Sequence, residues 1–178
     1  MLGQSKNHLS QSSRDRGFTL VEILIVVVIL GILAAIVLPR FSDASHQARE
    51  NTLKDDLRYL RTQIQVFKAQ HRDVPPGYPG GSLSATPTET DFIQQLTLFT
   101  SEPCTTNSAQ TTTYKFGPYL SRMPNNPING FTTVTVVANG SPLPVADGAT
   151  GWIYKPETQE ILPNLTGNDA SGTAYSQY

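Results

Sequence analysis

The sequence contains a single cysteine, Cys104, so no disulfide can form within one chain. A catalytic thiol would also need a histidine partner, and the three histidines, His8, His46 and His71, all lie in the N-terminal half. The sequence therefore gives no sign of thiol chemistry. We expect Cys104 to be a small buried residue, as free cysteines usually are.

Catalytic signatures are missing too. The chain has no GxSxG, Walker, HExxH or CxxC motif, and we expect neither a catalytic residue nor enzyme activity. The 13 Lys and Arg nearly balance the 14 Asp and Glu, for a net charge of −1. This leaves no overall basic field of the kind that attracts nucleic acid, so we expect no nucleic-acid partner.

The few charges are distributed unevenly. Residues 1–17 carry three Lys or Arg against one Asp, whereas from Val74 onward three Lys or Arg face seven Asp or Glu. The positive excess precedes a long apolar run, and the positive-inside rule places that end of the chain in the cytoplasm. The pattern predicts one membrane span with the C-terminal part on the other side.

The apolar run extends over the 21 residues from Phe18 to Leu38, with Glu22 as its one charged residue. As a helix it would measure roughly 30 Å, the thickness of the hydrocarbon core of a bilayer. An unpaired carboxylate is costly in lipid, so an ionisable residue in such a segment is a functional candidate. We therefore single out Glu22.

Two simpler interpretations of this run are an uncleaved signal anchor and a secretory signal peptide. The secretory interpretation predicts a small-x-small cleavage site after the apolar core. Residues 36–40 read IVLPR and offer a poor site, and the run is longer than a signal-peptide core. The secretory interpretation is disfavoured, and the signal anchor remains open.

The residues around the start of the run are more specific. Residues 16–22 read RGFTLVE, and Pro39 stands at the far end of the run. This pattern resembles the class III signal of type IV pilins and type II secretion pseudopilins. The resemblance implies that a prepilin peptidase removes a leader of residues 1–17 by cutting between Gly17 and Phe18, and then methylates the new amine of Phe18. It also implies that Glu22 is the acid used in assembly.

A physical argument agrees with this role. Cleavage would create a cationic amine at Phe18, and Glu22 lies one helical turn further on, about 6 Å along the axis. In a bundle of helices the carboxylate of one copy could face the amine of its neighbour, because a paired charge tolerates burial better than a lone one. The alternative is that Glu22 only reaches to the membrane interface near the helix start.

Pro39 predicts a kink rather than an end, because helical periodicity resumes after it. Residues 40–73 predict an amphipathic helix that ends near residues 70–73. The opposite face is charged, and we expect it to be solvated, with Glu50 and Lys54 as an i,i+4 pair; ion pairs between copies are the alternative. The apolar face consists of Phe41, Ala44, Ala48, Leu53, Leu57, Leu60, Ile64 and Phe67.

The remainder of the chain predicts a small head. Residues 74–131 are a variable region of loops with one short helix over residues 90–100. Residues 132–163 predict a small antiparallel sheet that packs on the Leu57, Leu60 and Ile64 stripe, with Trp152 in the core. Residues 164–178 read as a polar, loose tail. The three predicted strands are 132–138, 149–154 and 160–162.

The expected fold class is therefore α+β. A long N-terminal helix, membrane-spanning over residues 18–39 and amphipathic over residues 40–73, packs on the small sheet. This is the pilin-like fold that the resemblance implies.

In the major pseudopilins a calcium ion orders a C-terminal loop. The oxygen side chains available here are those of Asn164, Thr166, Asn168 and Asp169, of which only one is a carboxylate. A hard cation prefers more, so we expect no metal and no cofactor, with calcium as the alternative. Type IV pilins usually carry a C-terminal disulfide loop. A single cysteine cannot form one, and this favours a pseudopilin.

The resemblance thus implies a structural subunit of a type II secretion pseudopilus, closest to the major pseudopilin, that polymerises through its N-terminal helix to drive protein export. Its implied partners are further copies, other pseudopilins, the prepilin peptidase, the inner-membrane secretion platform and membrane lipid. Its implied location is the inner membrane, crossed once, with the N-terminus in the cytoplasm and the head in the periplasm. The alternatives are a type IV pilin or minor pilin for adhesion, motility or DNA uptake, and a monomeric membrane-anchored binding module.

Overall fold

A computed structural model of the protein describes residues 17–178, without the side chains of residues 38, 39 and 41–43. The predicted leader, residues 1–17, lies outside the described residues except for Gly17. The chain divides into two compact units between Asp43 and Ala44. The α+β class is confirmed. In chain order the elements are α1 (Leu20–Gln70), a 3₁₀ turn (Pro79–Gly81), α2 (Glu89–Thr97), β1 (Phe99–Thr100), β2 (Thr106–Asn107), β3 (Val134–Val136), β4 (Trp152–Lys155), β5 (Glu160–Pro163) and a second 3₁₀ turn (Tyr175–Gln177).

The first unit contains the beginning of α1. The 18 residues Leu20–Val37 have a mean hydropathy of 3.2 and are all exposed, so this part of the helix is long and apolar enough to cross a bilayer. The helix begins at Leu20 rather than at Phe18. It continues through Pro39, so the proline does not end it. The bend at Pro39 stays a prediction.

In the second unit, one stripe of α1 lies under the core of the head. The predicted apolar face is buried from Leu53 onward. Ala44 and Ala48 are exposed, so the buried stripe is shorter than predicted. The reason is that residues of the C-terminal segment first cover the helix at Glu50. The buried residues of the stripe, each at most 1% exposed, are Leu53, Leu57, Leu60, Ile64 and Phe67.

The end of α1 falls at Gln70, within the predicted range. Arg72 and Asp73 then adopt positive φ angles of 54° and 64°, and the Asp73 amide donates to the carbonyl of Lys68 at 3.1 Å. This turn satisfies one of the carbonyls that a helix end leaves unpaired. The two prolines at 75 and 76 keep the helix from resuming.

The main sheet is mixed, and the prediction of an antiparallel sheet is wrong for one of its two pairs. β4 pairs antiparallel with β5 but parallel with β3, where Val134 lies opposite Trp152. A parallel pair needs a long connection that returns the chain to the same end of the sheet, and residues 137–151 provide it. The three strands themselves lie within three residues of the predicted positions.

A close backbone contact precedes β4. A Cβ atom built on Gly151 would lie 2.2 Å from the carbonyl oxygen of Phe131, so only glycine fits at this position. The Gly151 amide also donates to the carbonyl of Thr133 at 3.0 Å. These contacts hold the segment before β3 against the segment before β4.

The helix α2 ends at Thr97, so the predicted helix over residues 90–100 is too long. Its start is well capped, because the Thr88 hydroxyl accepts the Asp91 amide at 3.0 Å and acidic residues favour the first turn. Leu98 is extended and ends the helix. The next two residues form β1, which pairs with β2 in a segment predicted to be a loop.

The core of the head gathers around β4. Trp152 and Tyr154 are fully buried. The Trp152 indole donates to the carbonyl of Pro124 at 3.1 Å, and the Tyr154 ring centroid lies 4.3 Å from that of Phe92. Ile153, on the other face of the strand, is also buried. Both faces of β4 are therefore covered, and the prediction for Trp152 is confirmed.

Cys104 is buried as predicted. Burial raises the pKa of its thiol to about 11. Because the thiolate is the reactive form of cysteine, this environment makes Cys104 chemically inert.

The prediction of a loose tail over residues 164–178 is wrong. Asp169 and Tyr175 are buried, and their partners lie on the face of α1 that was expected to be solvated. Glu50 accepts a hydrogen bond from the Tyr175 hydroxyl, and Lys54 contacts Asp169. The expected pair of Glu50 with Lys54 is thus replaced by two contacts with the tail. A polar segment of this kind is ordered by hydrogen bonds and charge, which hydrophobic periodicity does not report.

His71 directly follows α1 and is fully buried. Its Nδ1 lies 2.7 Å from the carbonyl oxygen of Phe67 and its Nε2 lies 3.0 Å from the Thr100 hydroxyl. The neutral ring therefore donates from Nδ1 and accepts at Nε2. Desolvation by burial lowers the pKa of His71 below its ordinary value of 6.5, against the opposing effect of the bond to Phe67.

This environment predicts a pH dependence of stability. The folded state keeps His71 neutral, so its contribution is fully present above the unfolded-state pKa of 6.5 and is lost as the pH falls from there toward the lower folded-state value. We expect the melting temperature of the full chain in detergent to fall on acidification through this window, and His71→Gln to flatten the fall. His46→Gln, at an exposed position of α1, is the matched control and should keep the wild-type profile. Identical profiles for His71→Gln and wild type would contradict the prediction.

Candidate assembly site at the start of α1

The bond between Gly17 and Phe18 lies just before α1. Residues 17–19 are exposed and not helical, and Phe18 is 76% exposed. Apart from the chain neighbours of Gly17, none of the described residues lies within 4 Å of a Cβ atom built on it, so the rest of the described fold leaves room for a side chain there. The bond is accessible to an external enzyme, and any requirement for glycine arises outside the described fold.

Thr19 and Glu22 form a reciprocal pair of hydrogen bonds around the first turn. The Thr19 hydroxyl accepts the Glu22 amide at 3.2 Å, and Glu22 Oε2 accepts the Thr19 amide at 3.4 Å. This is a capping box, in which side chains satisfy two of the amides that a helix start leaves unpaired. The negative charge of Glu22 also lies at the positive end of the helix dipole, where it is favourable.

The capping box gives Glu22 a partner within its own chain. Its carboxylate therefore helps to start α1, a role that differs both from pairing with a neighbour and from reaching to the interface. Thr19 is the residue that the sequence analysis missed. The sequence does carry a signal for this role, because a threonine three residues before a glutamate, ahead of an apolar run, is typical of a capping box.

Between Ile23 and Val37 the surface of α1 is apolar on all sides. The large apolar side chains between Ile23 and Val37 are 44–62% exposed. A helix that is apolar all round belongs in lipid or among other helices. The surface next to the candidate site is therefore suited to a membrane anchor and equally to contact with like helices.

The sequence-predicted residues do not all meet at one place. Gly17, Phe18 and Glu22 lie in the first turn of α1 or just before it. Pro39 lies about 25 Å further along the helix at a rise of 1.5 Å per residue, so it belongs to a different part of α1. Among the side chains that the structure describes, no three from His, Cys, Asp or Glu form a group that could hold a metal ion. The chemistry of the first-turn site is that of one carboxylate beside an accessible peptide bond.

Comparison with known proteins matches this part of the chain to a family. Residues 12–38 match the family described as the prokaryotic N-terminal methylation motif. Over 114 residues the chain is 32% identical to the type II secretion system core protein G of Klebsiella pneumoniae. This alignment covers 64% of this chain and 69% of that protein. The chain belongs to the type II secretion system core protein G family.

Two further relatives match shorter parts of the chain. The core protein G of Pseudomonas aeruginosa is 37% identical over 70 residues, 39% of this chain, and the alignment spans about half (49%) of that protein's length. The type IV narrow pilus major component PilA5 of Thermus thermophilus is 39% identical over 62 residues, 35% of this chain and 53% of that protein. The pilus relative thus shares less of the chain than the Klebsiella relative does, which favours core protein G. No solved structure matches the chain.

In this member of the core protein G family, the capping box predicts that Thr19 protects the Glu22 amide from exchange. Thr19→Val keeps the shape of the side chain but removes the capping hydroxyl, and the loss of an N-cap costs about 1 kcal/mol. We expect amide exchange at Glu22, measured by NMR in detergent micelles, to become about fivefold faster. Thr19→Ser retains a hydroxyl and should exchange as the wild type does. Equal rates in all three proteins would mean that the capping bonds do not hold the helix start.

Proposed function

We propose that this chain is a structural subunit of a type II secretion pseudopilus, not an enzyme, and that its polymerisation drives protein export. The observation that carries the proposal is the exposed apolar helix Leu20–Val37 with one carboxylate at its start, in a chain of the core protein G family. Two environments remove such a surface from water, a bilayer and a bundle of like helices. A subunit that waits in the membrane and then joins a filament uses both.

Processing precedes assembly in this proposal. A prepilin peptidase cuts between Gly17 and Phe18 and methylates the amine of Phe18. The match of residues 12–38 to the N-terminal methylation motif supports this step, as does the exposed, non-helical conformation of residues 17–19. The cut leaves Thr19 and Glu22 in the mature chain, so the capping box survives processing.

Charge and hydropathy support the proposed location. The subunit crosses the inner membrane once, with the positive residues 1–17 in the cytoplasm and the head in the periplasm, in agreement with the positive-inside rule. Its partners are further copies, other pseudopilins, the inner-membrane secretion platform and membrane lipid. No nucleic acid is among them, because only three Lys or Arg follow residue 73.

Assembly uses the charge of Glu22. Within its own chain the carboxylate accepts one amide through Oε2, at the long distance of 3.4 Å, and a carboxylate has the capacity for several more bonds. The methylated amine of Phe18 in a neighbouring subunit is a cation that can supply them. In the low dielectric of a helix bundle this pair would fix the register of each added subunit.

A type IV pilus subunit is the second candidate. The identity to PilA5 is the observation that supports this candidate, although the alignment covers only 35% of the chain. Deletion of the gene separates the two candidates, because a pseudopilin deletion should stop protein export and spare pilus-driven motility. Loss of motility with normal export would support the pilin.

The processing step predicts the mass of the mature protein. Protein purified from its native membrane should begin at Phe18, carry one added methyl group and lack residues 1–17. The reason is that the peptidase first cuts the Gly17–Phe18 bond and then methylates the new amine of Phe18. Intact-mass and N-terminal fragment spectra measure this directly. Gly17→Val should retain the leader, since a β-branched side chain blocks the peptidase without meeting any described residue of the fold. An unprocessed Met1 terminus in the wild type would contradict the proposal.

The assembly step predicts that Glu22→Gln is processed and inserted normally but does not form filaments. Removing one partner of a desolvated ion pair costs about 3–5 kcal/mol, enough to weaken subunit association more than about hundredfold. Sheared filament yield and crosslinking between cysteines engineered in the Phe18–Leu38 helix both measure it.

The matched control for this variant is Asp55→Asn. Asp55 also lies on α1, and its side chain is 74% exposed, so its neutralisation should leave the filament yield unchanged. Normal filaments from Glu22→Gln would remove the proposed role of the carboxylate. If the same engineered cysteines form no crosslinks in a chain that keeps Glu22, the protein does not polymerise and the helix is only a membrane tether.

A further inference from the structure

Asp169 is the centre of a closed cluster in the C-terminal segment. Its Oδ1 accepts the Ser171 amide at 2.9 Å, the Ser171 hydroxyl at 2.6 Å and the Thr173 amide at 2.9 Å. Its Oδ2 accepts the Tyr178 hydroxyl at 2.6 Å and the Lys54 ammonium at 3.4 Å. Five donors therefore surround one carboxylate whose side chain is only 3% exposed. The bonds from Ser171 and Tyr178 hold the pKa of Asp169 well below its usual range.

The cation of this cluster belongs to α1. Lys54 reaches from the helix to Asp169, and its Nζ lies 4.6 Å from the centroid of the Tyr178 ring. The ammonium thus meets a carboxylate and an aromatic face at once. One group on the tail supplies the negative charge, and one group on the helix supplies the positive charge.

Two further charges of α1 hold the segment on either side of Lys54. Glu50 Oε1 accepts the Ala170 amide at 3.0 Å and the Tyr175 hydroxyl at 3.1 Å. Arg61 donates to the carbonyl of Ile161 at 3.0 Å and to the main-chain oxygen of Tyr178 at 2.6 Å. The segment is therefore attached to the helix at three positions, with Lys54 one turn beyond Glu50 and Arg61 about two turns beyond Lys54.

Calcium does not fit this arrangement. The ion needs six to eight oxygen ligands with unshared lone pairs directed at it, but the oxygens of Asp169 already accept five protein donors. Asn164 Oδ1 is occupied in the same way by the amides of Asp147 and Gly148, at 2.8 and 3.1 Å. Thr166 and Asn168 are exposed. A divalent ion beside Asp169 would also be repelled by the ammonium of Lys54.

We propose that Lys54, held between Asp169 and Tyr178, takes the place of a metal ion in this chain, so that the C-terminal segment is ordered without calcium. The order of the segment then depends on the helix face that carries Glu50, Lys54 and Arg61. This proposal concerns the head alone and holds whether or not the chain forms a filament. Its practical consequence is that the head keeps its C-terminal surface in calcium-poor surroundings.

The first test is made on the wild-type full chain in detergent micelles, with either calcium chloride or EGTA. Hydrogen exchange read by mass spectrometry reports the amides of Ala170, Ser171 and Thr173, which bond to Glu50 and Asp169. We expect identical exchange in this segment and an identical melting temperature in both conditions. Slower exchange or a higher melting temperature with calcium would overturn the proposal.

The second test removes the cation. Lys54→Met keeps the length of the side chain without its charge, and we expect several-fold faster exchange at residues 169–173, since local opening costs less without it. Calcium should not reverse this change, and Lys54→Arg should stay near the wild-type rate. Arg58→Met is the matched control, because Arg58 lies one turn further on α1, is 78% exposed and pairs with the exposed Asp55 rather than with the C-terminal segment.

Exchange in β4 and β5 of the same samples reports whether the variants are folded. If Lys54→Met exchanges at the wild-type rate in residues 169–173, the proposal fails. If the variant does not fold, the comparison of calcium with EGTA on the wild type decides the matter alone.

Discussion

One carboxylate at the start of an exposed apolar helix is the constraint on which the rest of this molecule depends. A lone charge in lipid or in a helix bundle is costly, so Glu22 needs partners in both places. Its capping box with Thr19 supplies one within the chain, and in the proposed filament the amine of a processed neighbour would supply the next. The same carboxylate can then serve an isolated subunit through the first contact and an assembled one through the second.

The second half of α1 anchors the head, and charged side chains are again part of the anchorage. The head has no disulfide, and its one cysteine is buried in the core with a raised pKa. Its apolar core rests on the Leu53–Phe67 stripe, whereas its polar C-terminal segment is attached through charges on the neighbouring face. One helix therefore combines a surface for lipid and like helices, a core-forming stripe and a set of charged anchors for the chain end.

Periodicity accounts for most of what the sequence could predict. The 3.6-residue period and the breakers at residues 74–77 place α1 and its end correctly, and alternation with turn residues locates the three strands to within three residues. Strand direction was not predictable, because only the course of residues 137–151 makes the β3–β4 pair parallel. The order of the tail was not predictable either, since it depends on contacts between Glu50 or Lys54 and residues more than a hundred positions away. The capping box could have been predicted, because its spacing is local.

The central claim is that Glu22 of one copy lies beside the Phe18 amine of another. Solid-state NMR on filaments co-assembled from two pools tests this directly, with nitrogen-15 at the Phe18 amine in one pool and carbon-13 at the Glu22 carboxyl in the other. A dipolar contact between the two labels in mixed filaments is the result that the account predicts, since it can arise only between copies. A contact that is seen when both labels share one chain, and that disappears in mixed filaments, would contradict it.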